Sequence, residues 1–122
     1  MDNSIFIPGN VPSSKNSKQW TGKRLINSKT TQEYIKQSEP YYRHYTEHFK
    51  QVCSQKSKPY MVSFKFIRGS RHKFDYINPC QTVQDLMKTY GWIDDDNCDE
   101  IIPFFEPYEY NKENPGVYIT LL

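Results

Sequence analysis

Tyr60-Met61-Val62-Ser63-Phe64-Lys65-Phe66-Ile67-Arg68 is the stretch from which the fold is read. Successive side chains of a strand point to opposite faces of its sheet. Tyr60, Val62, Phe64 and Phe66 therefore share one face, and Met61, Ser63, Lys65 and Ile67 share the other. The run is rich in aromatic and β-branched residues, which makes it the clearest strand of the chain. On its N-terminal side Tyr42, Tyr45, Phe49 and Val52 recur at helical steps, with Arg43, His44, Glu47, His48 and Lys50 filling the rest of the circumference. Ser28 or Thr30 is placed to cap that helix, with Glu33 in its first turn. Pro40 demands either a kink or a fresh helix start, because proline is tolerated in a first turn and not in an interior.

On the C-terminal side a basic loop, residues 69–73, leads to a second helix over residues 79–90. Asn78 reads as its N-cap, Pro79 as its first residue and Gln81 as the capping-box partner. Val83, Leu86, Met87 and Tyr90 form its apolar face, and Gly91 stands where a left-handed residue closes a helix. Further out, residues 4–7 read as a strand stopped by Pro8-Gly9, residues 10–18 as a loop and residues 20–26 as a short strand with a turn at Gly22-Lys23. Residues 101–105 read as a strand that Pro103 confines to an edge or a bulge, and residues 117–122 as a last strand. The predicted order is β-β-α-β-α-β-β. This is an α+β domain, residues 1–122, with a mixed sheet and two main helices packed on it.

At 122 residues one domain and one core are expected. Aromatic residues make up 16% of the chain, too many for a disordered tail. No apolar run reaches the roughly 18 residues that cross a bilayer, and the first ten residues lack the pattern of a signal peptide. Cys53, Cys80 and Cys98 fit neither a disulfide framework nor a zinc knuckle. Free, mostly buried thiols and a cytoplasmic location are the expectation.

The net charge of +2 conceals an asymmetry. Residues 1–73 hold 14 of the 16 Lys and Arg against 4 acids, and residues 74–122 hold the other two Lys against ten acids. Such a split suits a solvated surface equally with a basic face for a polyanion beside an acidic pocket for a cation. The acids frame the second helix. Asp75 stands before it, and Asp94, Asp95 and Asp96 stand after it, followed by Asp99 and Glu100. That helix is about 18 Å long at 1.5 Å per residue. Six extended residues span roughly 20 Å, enough to carry Asp96 back beside Asp75. Carboxylates meeting there would call for a hard cation, Mg²⁺ or Mn²⁺. Turn composition accounts for the Asp-Asp-Asp-Asn run as well, and capping for Asn78 and Gln81. His44 and His48 lack a third ligand at metal spacing and read as helix surface.

Three segments in this order resemble the RusA-like Holliday-junction resolvases of phages and prophages. They are Pro12-Ser13-Ser14-Lys15-Asn16 after a short strand, Asp75-Tyr76-Ile77-Asn78 at a helix start, and Gly91-Trp92-Ile93 leading into Asp95-Asp96. The resemblance runs over nearly the whole chain. It implies a homodimeric hydrolase of DNA recombination or repair, a Mg²⁺-dependent endonuclease that cuts branched DNA, with Mn²⁺ as an alternative ion. Asp75, Asp95 and Asp96 are the expected catalytic and metal-site acids: Asp75 and Asp96 match the family's metal-binding aspartates, Asp95 the preceding acid of the pair, as a ligand or just behind the ligands, and Asn78 the motif's Asn. Asn78 and Asp94 are expected to support the ligands from behind. Lys15, Lys18, Lys23, Arg24, Arg68, Arg71 and Lys73 are expected to line the DNA path. Two positions depart from the pattern. Ile77 replaces an Asp and cannot ligate a metal, and Gln81 stands where the family often has a catalytic Lys. Asp94, Asp99 or Lys88 could offset these losses. A junction-binding protein that cuts weakly or not at all is therefore the alternative, and an interaction protein without a nucleic-acid role is the third.

Overall fold

The computed structural model describes residues 4–13, 18–20 and 25–122, with 18–20 and 25–27 given by their backbone. Its elements are β1 (Ser4–Pro8), β2 (Lys18–Trp20), β3 (Leu25–Asn27), α1 (Lys29–Cys53), β4 (Tyr60–Arg68), α2 (Ile77–Thr89), β5 (Ile101–Phe105), β6 (Glu109–Tyr110) and β7 (Gly116–Leu121). The α+β reading holds: two helices pack on a mixed sheet of five strands. Strand order is β1-β7-β4-β5, with β6 also paired to β4. β7 runs antiparallel to both β1 and β4, whereas β5 and β6 run parallel to β4.

β4 sits inside the sheet, between β7 and β5. Val62, Phe64 and Phe66 lie opposite Leu121, Ile119 and Val117 of β7, and Ile119 and Val117 in turn oppose Ile5 and Ile7 of β1. All of these side chains are buried, and they form one continuous face. Tyr34, Tyr42 and Phe49 of α1 and Val83, Leu86 and Met87 of α2 join them in a single core cluster. Fully burying one such side chain contributes about 1.5–3 kcal/mol. Met61, Phe104 and Tyr118 belong to the other face and stay exposed. Pro103 lies in β5, the outer partner of β4, where its missing N–H interrupts no further ladder. Gly116 admits no side chain, because a Cβ there would run into the Phe6 ring and lie 2.6 Å from the Ile7 carbonyl oxygen.

Three local expectations change. First, α1 is one helix of 25 residues running through Pro40. Pro40 and Lys36, whose carbonyl loses its usual partner, lie on the exposed side of α1, which lowers the cost of the missing bond. Ser28 is the N-cap, accepting from the Thr31 N–H at 3.3 Å. Second, where one strand is expected over residues 20–26, two short strands pair antiparallel, β2 with β3, Trp20 opposite Leu25, and the turn expected at Gly22-Lys23 lies outside the described residues. Third, α2 starts at Ile77 rather than at Pro79, and Asn78 lies inside its first turn. Pro79 is compatible with this start, because the first-turn N–H groups have no intrahelical acceptor to lose. β6 carries no alternation long enough to be read from sequence.

The end of α2 follows its sequence signal. Gly91 has φ +81°, its N–H reaches the Lys88 carbonyl, and the Trp92 N–H reaches the Met87 carbonyl at 2.8 Å. This is a Schellman closure. Trp92 then enters the core, stacking on Phe49 at 5.0 Å and donating its indole N–H to the Tyr42 carbonyl at 2.8 Å. That anchor turns the chain back along α2. Among the described residues no helix is long and apolar enough to cross a membrane. Cys53 and Cys80 are buried, as expected, and burial pushes the Cys80 thiol up to about 12. Cys98 departs from that expectation and is exposed.

Candidate active-site groove

A groove of about 580 Å³ opens at the start of α2, lined by Ser13, Lys73, Phe74, Asp75, Tyr76, Asn78 and Tyr108. It joins two of the three motif segments. Asp75 and Asn78 come from the turn into α2, where the Asn78 N–H donates to the Asp75 carbonyl at 3.0 Å. With Asn78 inside the helix rather than capping it, its side chain lines the groove beside Asp75. Ser13 comes from the loop after β1, which hydrogen bonds hold in place. The Asn10 side-chain oxygen accepts from the Gly69 N–H at 2.9 Å, and Arg68 donates to the Val11 carbonyl at 2.6 Å and to the Ser13 hydroxyl at 2.9 Å.

Arg68 thus corrects one expectation. Its place at a strand end of the basic half suggests a position on the DNA surface, yet it is only 4% exposed and its guanidinium lies over the Phe74 ring at 4.7 Å. It closes β4, a strand whose last residues are covered by the loop after β1, and this turns the side chain inward. Arg71 and Lys73 are exposed, Arg71 over the Tyr110 ring at 4.1 Å and Lys73 on the groove wall. Lys18 begins β2. Lys15, Lys23 and Arg24 lie outside the described residues.

The third segment meets α2 one turn further on. Gln81 donates through Nε2 to Asp85 at 2.7 Å and to Asp96 at 3.1 Å. Gln81 lies four residues, about 6 Å of rise, beyond Ile77. The chain therefore returns beside α2, where Asp96 is hydrogen-bonded to the Gln81 side-chain amide. Asp95 is committed to its own turn. Its carboxylate accepts from the Asp96 N–H at 2.8 Å and from Asn97 at 3.1 Å, and pairs with Lys88 at 3.3 Å. The Asp96 N–H first, then Lys88 and Asn97, hold the Asp95 carboxyl below the usual range. Asp94 points elsewhere, to Lys58 at 2.9 Å, which also binds Glu100 at 2.8 Å. Asp94 therefore does not back the groove. Ile77 is 68% exposed.

Among the described residues no three His, Cys, Asp or Glu side chains converge to hold a metal. Mg²⁺ asks for less, since one or two carboxylates with waters and substrate phosphates complete its shell. Asp75 and Asn78 in the groove and Asp96 beyond it are hard oxygen donors of that kind. The sequence reading missed the aromatic wall. Phe74, Tyr76 and Tyr108 sit in two separate stretches, and neither shows the alternation or helical spacing that would single them out. No protein-family model matches the chain, and no curated protein matches its sequence.

Proposed function

We propose that the chain is a Mg²⁺-dependent endonuclease acting on branched DNA, of the kind its motifs resemble. The observation that carries this reading is the groove itself. Two stretches more than sixty residues apart, Ser13 and Asp75–Asn78, share it, and the acidic return loop docks on the same helix. Asp75 and Asp96 are the residues that would hold the ion, with Asp95 fixing the Asp96 backbone. A bound divalent ion supplies a water of lowered pKa and offsets charge on the phosphate. Lys73 and Arg71 attract the DNA backbone toward the acids. Asn78 offers an amide to orient a phosphate or a water, and Gln81 sets the direction of the Asp96 carboxylate. A homodimer suits a substrate with two equivalent strands. The exposed Met61, Phe104 and Tyr118 face offers apolar surface for a second copy.

Gln81 also favours the second reading, a junction-binding protein of weak activity. A neutral amide between Asp85 and Asp96 gives no positive charge to a transition state. Incubation of an immobile four-way junction with Mg²⁺, Mn²⁺ or EDTA separates the two. Paired cuts with either metal and none in EDTA support the nuclease. Binding without cuts at any metal concentration supports the binding protein.

A further inference from the structure

The groove beside Asp75 is walled by rings, and a metal site needs none. Phe74 meets Tyr76 at 5.1 Å and Tyr108 at 5.2 Å, both edge-on. The Tyr76 hydroxyl accepts from the Tyr108 N–H at 3.0 Å, which locks the Tyr108 backbone. Tyr108 is held from two sides yet 44% exposed, so an aromatic ring is offered in a fixed orientation. A rigid ring costs little ordering entropy when something stacks on it.

Behind the rings lies a buried positive charge. Arg68 covers Phe74, and its Nε has no hydrogen-bond partner. Among the described residues no carboxylate pairs with it. Burial alone lowers its pKa from the ordinary value. A buried cation without a counterion favours an anion nearby. Lys73 adds an exposed ammonium on the groove wall, and Ser13 and Asn78 add a hydroxyl and an amide. Among the described residues Asp75 is the only acid of the lining.

We infer that this groove takes one unpaired nucleotide of the DNA, its base stacked on Tyr108 and its phosphate drawn by Lys73 and the Arg68 charge. A ligand that is flat and aromatic at one end and anionic at the other matches a ring wall beside cations. A paired base has both faces covered by its neighbours, so the occupant is a base outside the helical stack. The inference rests on the DNA reading above and names which part of a branched substrate the groove holds.

The test is a cycle in EDTA, so that no chemistry intervenes. Two four-way junctions are compared by fluorescence anisotropy, one with an unpaired thymidine at the branch point and one with an abasic residue there. Stacking of a base on an aromatic side chain corresponds to roughly a 5- to 150-fold change in affinity. Parent protein and Tyr108→Phe are expected to bind the thymidine junction tighter by such a factor. Tyr108→Ala, checked for folding by circular dichroism, is expected to bind the two junctions alike. Equal binding of both junctions by the parent, or a preference that survives Tyr108→Ala, overturns the inference and leaves the nuclease reading standing. Failure of the parent to bind either junction overturns both.

Discussion

Gln81 and Asp96 are hydrogen-bonded at 3.1 Å, which fastens the acidic loop after α2 to the first half of that helix. The same amide holds Asp85 at 2.7 Å, so two carboxylates share one neutral donor. A cation of matching length would serve both carboxylates better. Gln81→Lys is expected to keep the fold, to pair with Asp85 and Asp96, and to raise junction cleavage at fixed Mg²⁺. Rates for parent and variant on one junction substrate check this, and an unchanged rate would mean that position 81 stands outside the chemistry.

Metal binding is expected to depend on Asp75 and Asp96 independently of turnover. Calorimetric titration with Mn²⁺ should give one site per chain in the parent and a strongly weakened site in Asp75→Asn and in Asp96→Asn. An Asp94→Asn control should titrate like the parent, because Asp94 is engaged by Lys58. Equal Mn²⁺ affinity in all four proteins would remove the shared site.

Ile77→Asp is expected to fold. An Asp replacing a core isoleucine would bury a charge, but Ile77 is 68% exposed at the first position of α2. An acid there also complements the helix dipole, a contribution of about 0.3–1 kcal/mol. Thermal melting should show equal or slightly raised stability. If residue 77 also faces the ion, cleavage at low Mg²⁺ should rise, and a metal titration of activity reads that out separately.

The basic residues from the end of β4 onward divide into a strut, Arg68, and a binding surface, Arg71 and Lys73. Arg71→Ala with Lys73→Ala should flatten the log–log salt dependence of junction binding by roughly 1.8, at about 0.9 for each phosphate no longer neutralised. Arg68→Ala should instead lower the melting temperature, because it removes charge-assisted bonds to Val11 and Ser13 that are each worth about 1.5–3 kcal/mol. A stability loss in the double variant and none in Arg68→Ala would reverse these roles.

Asp95 gives a pH signature. Its folded-state pKa lies below the ordinary carboxylate value. Its stabilising contribution is therefore present above the unfolded pKa, near 3.9, and is lost as pH falls through the lower folded value. Lys88→Met should raise the Asp95 titration midpoint in a carbon-detected NMR titration, and an unmoved midpoint would leave the Asp96 N–H and Asn97 as its sufficient causes.

What can be read in the sequence follows from which signals are local. The β4 alternation, the Ser28 cap, the Gly91 closure and the edge position imposed by Pro103 each depend on a few neighbouring residues, and all are found. The start of α2 goes the other way. Asn78-Pro79 is a strong local cap signal, yet the helix begins two residues earlier, and this puts Asn78 beside Asp75 in the groove. The inward turn of Arg68 is not legible, because it depends on a loop more than fifty residues away in the chain. The joining of Phe74 and Tyr76 to Tyr108 is long-range in the same sense. The proximity of Asp96 to α2 is a matter of chain length and can be foreseen; its partner, an amide rather than a cation, follows from position 81 itself.

The most direct test of the central claim is cleavage of an immobile four-way junction by the parent and by Asp75→Asn, at saturating Mg²⁺, with binding followed in parallel. The expected result is paired incisions by the parent, none by Asp75→Asn, and junction binding by the variant as tight as the parent's or tighter, since one repelling carboxylate is gone. Cleavage by Asp75→Asn at the parental rate would contradict the account, as would a folded parent that neither cuts nor binds the junction.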